Sequence, residues 1–452
     1  MNDVMVMVAA CIALTAACLK GVSWAFRWVY VPTLILVPGE LVLQNNGLPD
    51  LTPQRAAAHG LILGALLIEK FHRLPPRWQW FDLLALAPVL SFSISYATFT
   101  DFEGFYNRLP MLVLDWACPY LFVRSLITSV DSLRKLLTPL VLASVTFACL
   151  AVYECRMATR IAQQLWALIG VHVNVIPHYT CWRWGLLRAN LTFAAGPLTM
   201  ATFFVTVTPL MLLWGLLRPQ YYWHSRFAAL ATAVGCFAGL SRGPMVALAA
   251  SAVLYVVLGS RSRIPLVLLL AVLLLASPFL LEAAQDTVEY TQQRLRETGN
   301  TAEESGYYRV ALLLIYGKEL VNVGWWGDPS IPGSLYEQCW STDNAYLWFF
   351  FFGGWIGAVP ICVLVMWLLA AGLHRVFTTS DANRRIMAAI VTTYAGMSIC
   401  MGNVWFAGDY GPFFWITCGL LANAIQWSDR RAVDGASAPR PNSSAWSTAP
   451  GG

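Results

Sequence analysis

The chain has 452 residues, of which 58% are hydrophobic and only 12% are charged. Ordinary soluble proteins are about 45–50% apolar and about 25% charged, so this composition excludes a soluble multidomain enzyme, a disordered chain and a secreted disulfide scaffold. The formal net charge of +5 is too small to indicate a nucleic-acid partner. With a mean hydropathy of +0.58, the chain is expected to be an integral membrane protein built from many helices.

Apolar runs long enough to cross a membrane, which takes about 20 helical residues, occur along most of the chain. They fall at residues 3–19, 22–43, 56–69, 82–99, 109–127, 135–153, 192–217, 226–240, 244–260, 264–281, 345–372, 386–402 and 411–427. We therefore predict an all-α fold, a polytopic integral membrane bundle of about 12–13 transmembrane helices that form one domain over residues 1–427. Asp3 stands where a cleaved signal peptide would be basic, so the first run is expected to be a retained helix.

The distribution of arginine and lysine predicts the orientation, because short cytoplasmic loops retain basic residues. The loop 374–385 and the residues after 427 are basic and are expected inside, which puts two long loops, 154–191 and 282–344, on the outer side. The second of these loops begins with a charged, helix-prone stretch and is expected to be helical. The segment 428–452 is rich in Ala, Ser, Pro and Gly and is expected to be a disordered cytoplasmic tail.

The residues that commonly bind metals show no ligand pattern. Most of the 11 cysteines lie inside apolar runs, where they act as small hydrophobic residues. No CxxC pair, Cys/His cluster or histidine spacing is typical of a metal site. We therefore expect neither a metal ion nor a cofactor.

Four arginines are expected on the outer side, against the usual bias: Arg183, Arg188, Arg242 and Arg309. An arginine buried at full membrane depth costs about 2.5–3.5 kcal/mol on insertion scales, so each needs a partner. One interpretation pairs each arginine with a nearby carboxylate or a lipid headgroup. The other is a shared clamp for the pyrophosphate of a lipid-linked substrate, because the guanidinium group binds phosphate through two hydrogen bonds.

A second candidate site lies where the long outer loop returns to the membrane, at Asp343-Asn344, which a gap of nine residues separates from Gly354-x-x-Gly357. A partly desolvated carboxylate at this boundary would have a raised pKa and act as a better general base. The alternative is structural: Asp343 caps the next helix, and the glycines are helix-packing contacts.

Asp115 lies inside the fifth predicted span, close to Pro119. A carboxylate at this depth could relay protons in a transporter. The alternative, which we favour, is a bond to a neighbouring helix.

Taken in order, these patterns resemble the bacterial O-antigen ligase and O-antigen/exopolysaccharide polymerase superfamily. Residues 183–189 (RWGLLRA) are similar to that family's paired arginines, and 240–243 (LSRG) to its Ser-Arg-Gly hairpin. Residues 305–309 and the glycine pair in 324–327 are similar to its loop segment. The family's ligases carry His-Asn before the nine-residue gap, whereas this chain carries Asp343-Asn344, which favours the polymerase subclass.

The resemblance, which covers residues 35 to 427, implies a metal-independent, inverting glycosyltransferase of the bacterial inner membrane. Its active site would face the periplasm, so 282–344 would be a large helical periplasmic loop. Asp343 would act as the base, Arg242 and Arg309 would hold the pyrophosphate, and Arg183, Arg188 and Asn344 would support substrate binding. The implied partners are an undecaprenyl-pyrophosphate-linked oligosaccharide, an acceptor glycan, the lipid bilayer and other polysaccharide assembly and export proteins.

Two other functions stay open at this point. An O-antigen ligase performs the same chemistry with a lipid A core acceptor. A transporter or flippase for lipid-linked sugars belongs to another class and would be expected to show internal repeats and cavities lined by charged residues; the sequence shows neither clearly.

Overall fold

The computed structural model describes residues 2–39, 41–45, 48–68, 78–99, 108–168, 170, 182–191, 196–260, 262, 264–298, 307–334, 344–402 and 411–437. Most of these residues are helical. The predicted α-helical architecture is confirmed for these residues, apart from two short β-hairpins.

The helices are numbered here in chain order. They are α1 (Asn2–Lys20), α2 (Val22–Leu36), α3 (Pro53–Leu67), α4 (Trp80–Phe99), α5 (Arg108–Leu126), α6 (Val130–Met157), α7 (Ile161–Leu168), α8 (Pro197–Leu217), α9 (Tyr222–Ala238), α10 (Arg242–Gly259), α11 (Ile264–Thr298), α12 (Tyr307–Glu319), α13 (Ser330–Ser334), α14 (Ala345–Thr378), α15 (Asp381–Met401) and α16 (Gly411–Ser437). Two antiparallel hairpins, β1 (Leu43–Asn45) with β2 (Leu48–Leu51) and β3 (Trp182–Arg183) with β4 (Leu186–Leu187), interrupt the series.

Each of the thirteen apolar runs contains a helix, but not every helix has the length and composition of a membrane span. Within the described residues, seven helices are long and apolar enough to cross a membrane. They are α1, α4, α5, α6, α8, α10 and α14. The count of 12–13 spans is therefore larger than the number that meets this criterion.

The three largest differences between the predicted and the observed helix boundaries are at the ends of α2, α11 and α16. The run 22–43 is helical only to Leu36, because Val37 is extended and leads into the β1–β2 hairpin. Helix α11 continues without a break through the charged stretch after residue 281. Helix α16 continues to Ser437, where a disordered tail was predicted. Extending an existing helix costs little because nucleation is the unfavourable step, so apolar runs underestimate helix length.

Asp115 makes the helix–helix bond that was favoured for it. It lies in a π-helical turn of α5, Val113–Ala117. The Arg55 side chain on α3 donates to both carboxylate oxygens, with Nε 3.0 Å from Oδ1 and Nη2 2.7 Å from Oδ2. Both side chains are at most 16% exposed, so this ion pair ties two helices together inside the bundle.

A second buried ion pair joins α4, α5 and α16. Arg124 donates to Asp82 through Nε at 2.9 Å and Nη2 at 3.0 Å, and both side chains are at most 4% exposed. Tyr120 donates its hydroxyl to the same carboxylate. Asn423 accepts a hydrogen bond from Arg124 and donates to the carbonyl oxygens of Val123 and Ile127. Every charge in this network is therefore neutralised within the protein.

This network lies near one end of the bundle, where the start of α6, the junction of α14 and α15 and the later part of α16 meet. Val130, Thr379, Asn383 and Trp427 line one cavity there. The same end carries the α8–α9 and α10–α11 turns, because Arg384 at the start of α15 donates to the carbonyl of Leu258 in the last turn of α10, 2.9 Å away. We call this end of the bundle the opposite end, because the candidate residues Arg242 and Asn344 lie at the other end.

Candidate active site

The first two candidate arginines belong to a short hairpin, β3–β4: Arg183 lies in β3, and Arg188 directly follows β4. The two-residue turn of this hairpin is Trp184-Gly185, and both residues have positive φ (53° and 72°), as the tight turns favoured in hairpins require. Arg183 and Leu186 pair across it. The chain that follows lies along the α9–α10 turn, where the Ala189 N–H donates to the Ala238 carbonyl at 3.0 Å.

Arg183 and Arg188 both bind the backbone of this α9–α10 turn. Arg183 Nη1 donates to the Leu240 carbonyl oxygen at 2.8 Å. Arg188 Nε donates to the Gly239 carbonyl oxygen at 3.2 Å, and its Nη2 donates to Ser241 Oγ at 2.7 Å. Two arginines that precede the turn by 51 to 57 residues thus bind its carbonyl and hydroxyl oxygens and hold it in place.

Arg242 follows this turn directly and is the first residue of α10. Ser241 occupies the N-cap position, but its hydroxyl donates to the Gly239 carbonyl and makes no capping bond to the helix. The N–H groups and the positive dipole of a helix N-terminus favour an anion. The Arg242 side chain is exposed, and within the described residues no hydrogen bond or ion pair holds its guanidinium group. We call Arg183, Arg188 and Arg242 the arginine node.

A buried carboxylate that sequence reasoning missed, Glu154, binds the backbone that follows Arg188 and so holds the node in position. Glu154, in the last turn of α6, is 1% exposed, and its Oε1 accepts from Arg160 Nη1 at 2.7 Å and from the Asn190 N–H at 2.9 Å. Arg160 also donates to the Arg188 carbonyl oxygen at 2.9 Å. The only sequence signal was an acidic residue near the end of an apolar run, which names no partner.

Backbone strain is concentrated around the node. Among the described residues, the non-glycine positions with positive φ are Ala158, Trp184, Leu191 and Leu240. All four belong to segments that meet here: the end of α6, the hairpin, the strand-like segment after it and the α9–α10 turn. Such conformations cost of order 1–3 kcal/mol each and gather at functional sites.

Asn344 caps helix α14, which corrects the structural interpretation that gave this role to Asp343. Its Oδ1 accepts from the N–H groups of Tyr346 at 3.0 Å and Leu347 at 3.1 Å, and its Nδ2 donates to the Gly402 carbonyl at 3.1 Å. The side chain proposed for substrate binding is thus engaged by backbone groups, and it positions the start of α14. Asp343 itself lies outside the described residues.

The Asn344 cap and the arginine node lie at the same end of the bundle. Gly402 is the C-cap of α15, and α15 packs on α8, where the Thr206 hydroxyl lies 3.1 Å from Met397 Sδ. The start of α8 is packed closely against the node, because a Cβ at Gly239 would lie 2.8 Å from the Pro197 carbonyl oxygen. Contacts therefore run continuously from the cap of α14 to the turn that carries Arg242.

The two glycine motifs, predicted separately, contact each other directly. Helix α14 is broken at Gly354, whose φ is 61° and ψ is −165°. The loop before α13 fills the break: the Asp328 N–H donates to the Phe351 carbonyl at 2.7 Å, and the Ile356 N–H donates to the Trp325 carbonyl at 3.1 Å. A Cβ at Gly354 would lie 2.2 Å from the Gly327 nitrogen, so only glycine fits here.

The other glycines of this motif pack against helix α4, as the structural interpretation expected. A Cβ at Gly353 would lie 2.4 Å from the Phe92 ring, and one at Gly357 would lie 3.0 Å from Ser91 Oγ. The Ser91 hydroxyl donates a hydrogen bond to the Gly353 carbonyl oxygen. This bond pairs a backbone group next to the break in α14 with a side chain of α4.

Arg309 lies in the first turn of α12, on a different element from the node. This helix packs on the first half of α14 through Leu312 and Tyr316, which form a small core with Leu347 and Phe351. The Tyr316 and Phe351 rings are 5.4 Å apart. Arg309 is half-buried and belongs to a helix that packs against α14, the helix that Asn344 caps.

No protein-family model and no curated protein matches this chain. The resemblance to the ligase and polymerase superfamily therefore rests on the sequence motifs alone.

Proposed function

We propose that this chain is a polysaccharide polymerase of the bacterial inner membrane. It transfers an oligosaccharide repeat unit from undecaprenyl pyrophosphate to a sugar hydroxyl at the periplasmic face. The observation that carries this proposal is the arginine node, in which Arg183 and Arg188 bind the backbone and Ser241 of a turn, and Arg242 is exposed at the helix N-terminus that follows it.

The node has the chemistry needed for a pyrophosphate group. An exposed guanidinium can donate two parallel hydrogen bonds to phosphate oxygens, and the N-terminus of α10 adds the partial positive charge of the helix dipole. Glu154, the buried carboxylate that binds the Asn190 N–H, is already bound by Arg160. Arg242 is therefore the group proposed to contact the substrate, with Arg183 and Arg188 supporting it.

The proposed reaction is a displacement at the anomeric carbon. The acceptor hydroxyl oxygen forms a bond to this carbon while the bond from the carbon to the pyrophosphate oxygen breaks, and the configuration is inverted. Asp343 accepts the hydroxyl proton. Arg242 and Arg309 offset the negative charge that grows on the departing undecaprenyl pyrophosphate. The Asn344 cap supports this role for Asp343, since it fixes the chain one residue away.

The test is polymer formation by the purified protein in liposomes that contain lipid-linked repeat units. We expect the wild type to lengthen the glycan, and Arg242→Ala to lose on the order of 10²–10³ in rate, as is typical when one oxyanion donor is removed. Arg134→Ala, which removes an exposed arginine at the opposite end, is the matched control and should keep full activity.

Other outcomes would replace this proposal. Normal polymer from Arg242→Ala, at normal protein levels, would remove the node from the active site. Transfer only to a lipid A core acceptor would identify a ligase, and movement of the intact lipid-linked sugar across the liposome without bond formation would identify a transporter.

A further inference from the structure

A cleft at the opposite end of the bundle is lined by arginines that the proposed reaction does not use. It has a volume of about 400 Å³ and lies between the last turns of α8, the start of α9 and the end of α10. Arg226 of α9 and Arg385 of α15 line it together with Tyr222 and Tyr255. The cleft thus forms where four helices end.

The cleft is cationic without a compensating acid. Among the described residues that line it, none is acidic, and neither Arg226 nor Arg385 forms an ion pair with another described residue. Arg226 is held in position, because it donates to the Tyr222 hydroxyl and its guanidinium carbon lies 4.2 Å from the centre of that ring. A fixed guanidinium beside a tyrosine hydroxyl is well suited to bind phosphate oxygens.

The cleft is also divided into an apolar and a polar part. Leu212 and Leu216 of α8 and Val256 of α10 form its apolar wall, and both helices have the length and composition of membrane spans. The arginines and Ser260 lie at helix ends, where a span meets the headgroup layer. An amphipathic ligand therefore fits the cleft better than a free anion, which would leave the apolar wall unused.

We propose that this cleft binds one anionic phospholipid. Its phosphate accepts hydrogen bonds from Arg226 and Arg385, and its acyl chain lies against Leu212 and Leu216. A zwitterionic phospholipid is disfavoured, because its ammonium group would face two guanidinium groups with no carboxylate among the lining residues. The inference is independent of the proposed polymerase reaction, since it concerns the end of the bundle away from the arginine node.

The experiment measures lipid binding to the full-length protein in detergent by native mass spectrometry. We expect phosphatidylglycerol to bind and phosphatidylethanolamine to bind much more weakly. The double variant Arg226→Gln/Arg385→Gln should bind phosphatidylglycerol roughly 30-fold more weakly, from about 1 kcal/mol for each basic residue near anionic lipid. Arg134→Gln removes a charge at the same end outside the cleft and should leave binding unchanged.

Leu216→Phe keeps both arginines, but its larger side chain occupies part of the space beside the apolar wall, so it should also reduce phosphatidylglycerol binding. This variant tests the site without a change of charge. Equal binding of the two phospholipids, or wild-type binding by a folded double variant, would overturn the proposal. Displacement of the lipid by excess inorganic phosphate alone would also overturn it, because the cleft would then be a site for a free anion.

Discussion

Arginines lie at both ends of this helical bundle, and the two ends use them differently. Arg124 is enclosed by a carboxylate, a tyrosine hydroxyl and an amide, and almost none of its surface is exposed. At the other end, Arg183 and Arg188 bind carbonyl and hydroxyl groups, and Arg242 is exposed. The first arrangement neutralises charge to hold helices together. The second binds a turn through its carbonyl and hydroxyl oxygens, and Arg242, which follows this turn directly, is exposed to a ligand.

The largest effect is expected at Asp343, the proposed general base at the end of the bundle that carries the arginine node. Asp343→Asn should lower the rate of polymer formation by on the order of 10²–10⁴, because an amide cannot accept the proton. Since Asn344 already caps α14, the melting temperature should not change. Near-normal turnover by this variant would mean that the base lies elsewhere.

Arg124 and Arg242 should respond oppositely to the same substitution. Arg124→Met leaves Asp82 buried without its ion-pair partner, and breaking such a pair costs about 3–5 kcal/mol, so thermal unfolding in detergent should shift strongly downward. Arg242→Met changes an exposed residue and should alter stability by no more than about 0.5 kcal/mol while abolishing polymer. Equal loss of stability in the two variants would contradict the distinction between the two ends.

Glu154 should affect activity through the node that it anchors. Glu154→Ala leaves Arg160 and the N–H groups of Asn190 and Leu191 without their acceptor, at about 1–3 kcal/mol for each buried unsatisfied group. Polymer formation should fall by at least about tenfold. Glu154→Gln keeps an acceptor oxygen, so it should recover much of the activity. If the two variants lost activity equally, the orientation of the 188–191 segment would not depend on this acceptor.

The smallest expected effect concerns Trp184, an unusual residue for a turn position with positive φ. Asparagine adopts this conformation more readily, so Trp184→Asn should raise stability by about 0.5–1 kcal/mol. The Trp184 ring, however, lies 5.9 Å from the Arg183 guanidinium carbon, and its loss should lower polymer formation a few-fold. A variant that is more stable and fully active would show that the strained turn serves no purpose at the node.

The helices could be predicted because long apolar runs determine them almost directly. The adjacent candidates Asp343 and Asn344 could not be separated, since both residue types cap helices well and only the contacts of Asn344 with Tyr346 and Leu347 decide between them. The arginines of the node were predicted from the sequence, but their hydrogen-bond partners were not. These partners are backbone carbonyl oxygens in a strained turn, and a carbonyl oxygen carries no signature in the sequence. Glu154 was missed for the same reason, because two of its partners are backbone N–H groups.

The break in α14 has a consequence for how the protein is made. In the hydrocarbon core of a membrane an unpaired backbone group costs several kcal/mol, and here the Phe351 carbonyl and the Ile356 N–H depend on residues 325–328. The ribosome releases this loop before it releases α14, so in the proposed orientation the loop crosses the membrane before the broken helix arrives. A substitution such as Gly327→Ala, whose Cβ would lie 2.5 Å from the Phe351 oxygen, would therefore block insertion and lower the amount of protein in the cell, while molecules that did assemble would turn over normally.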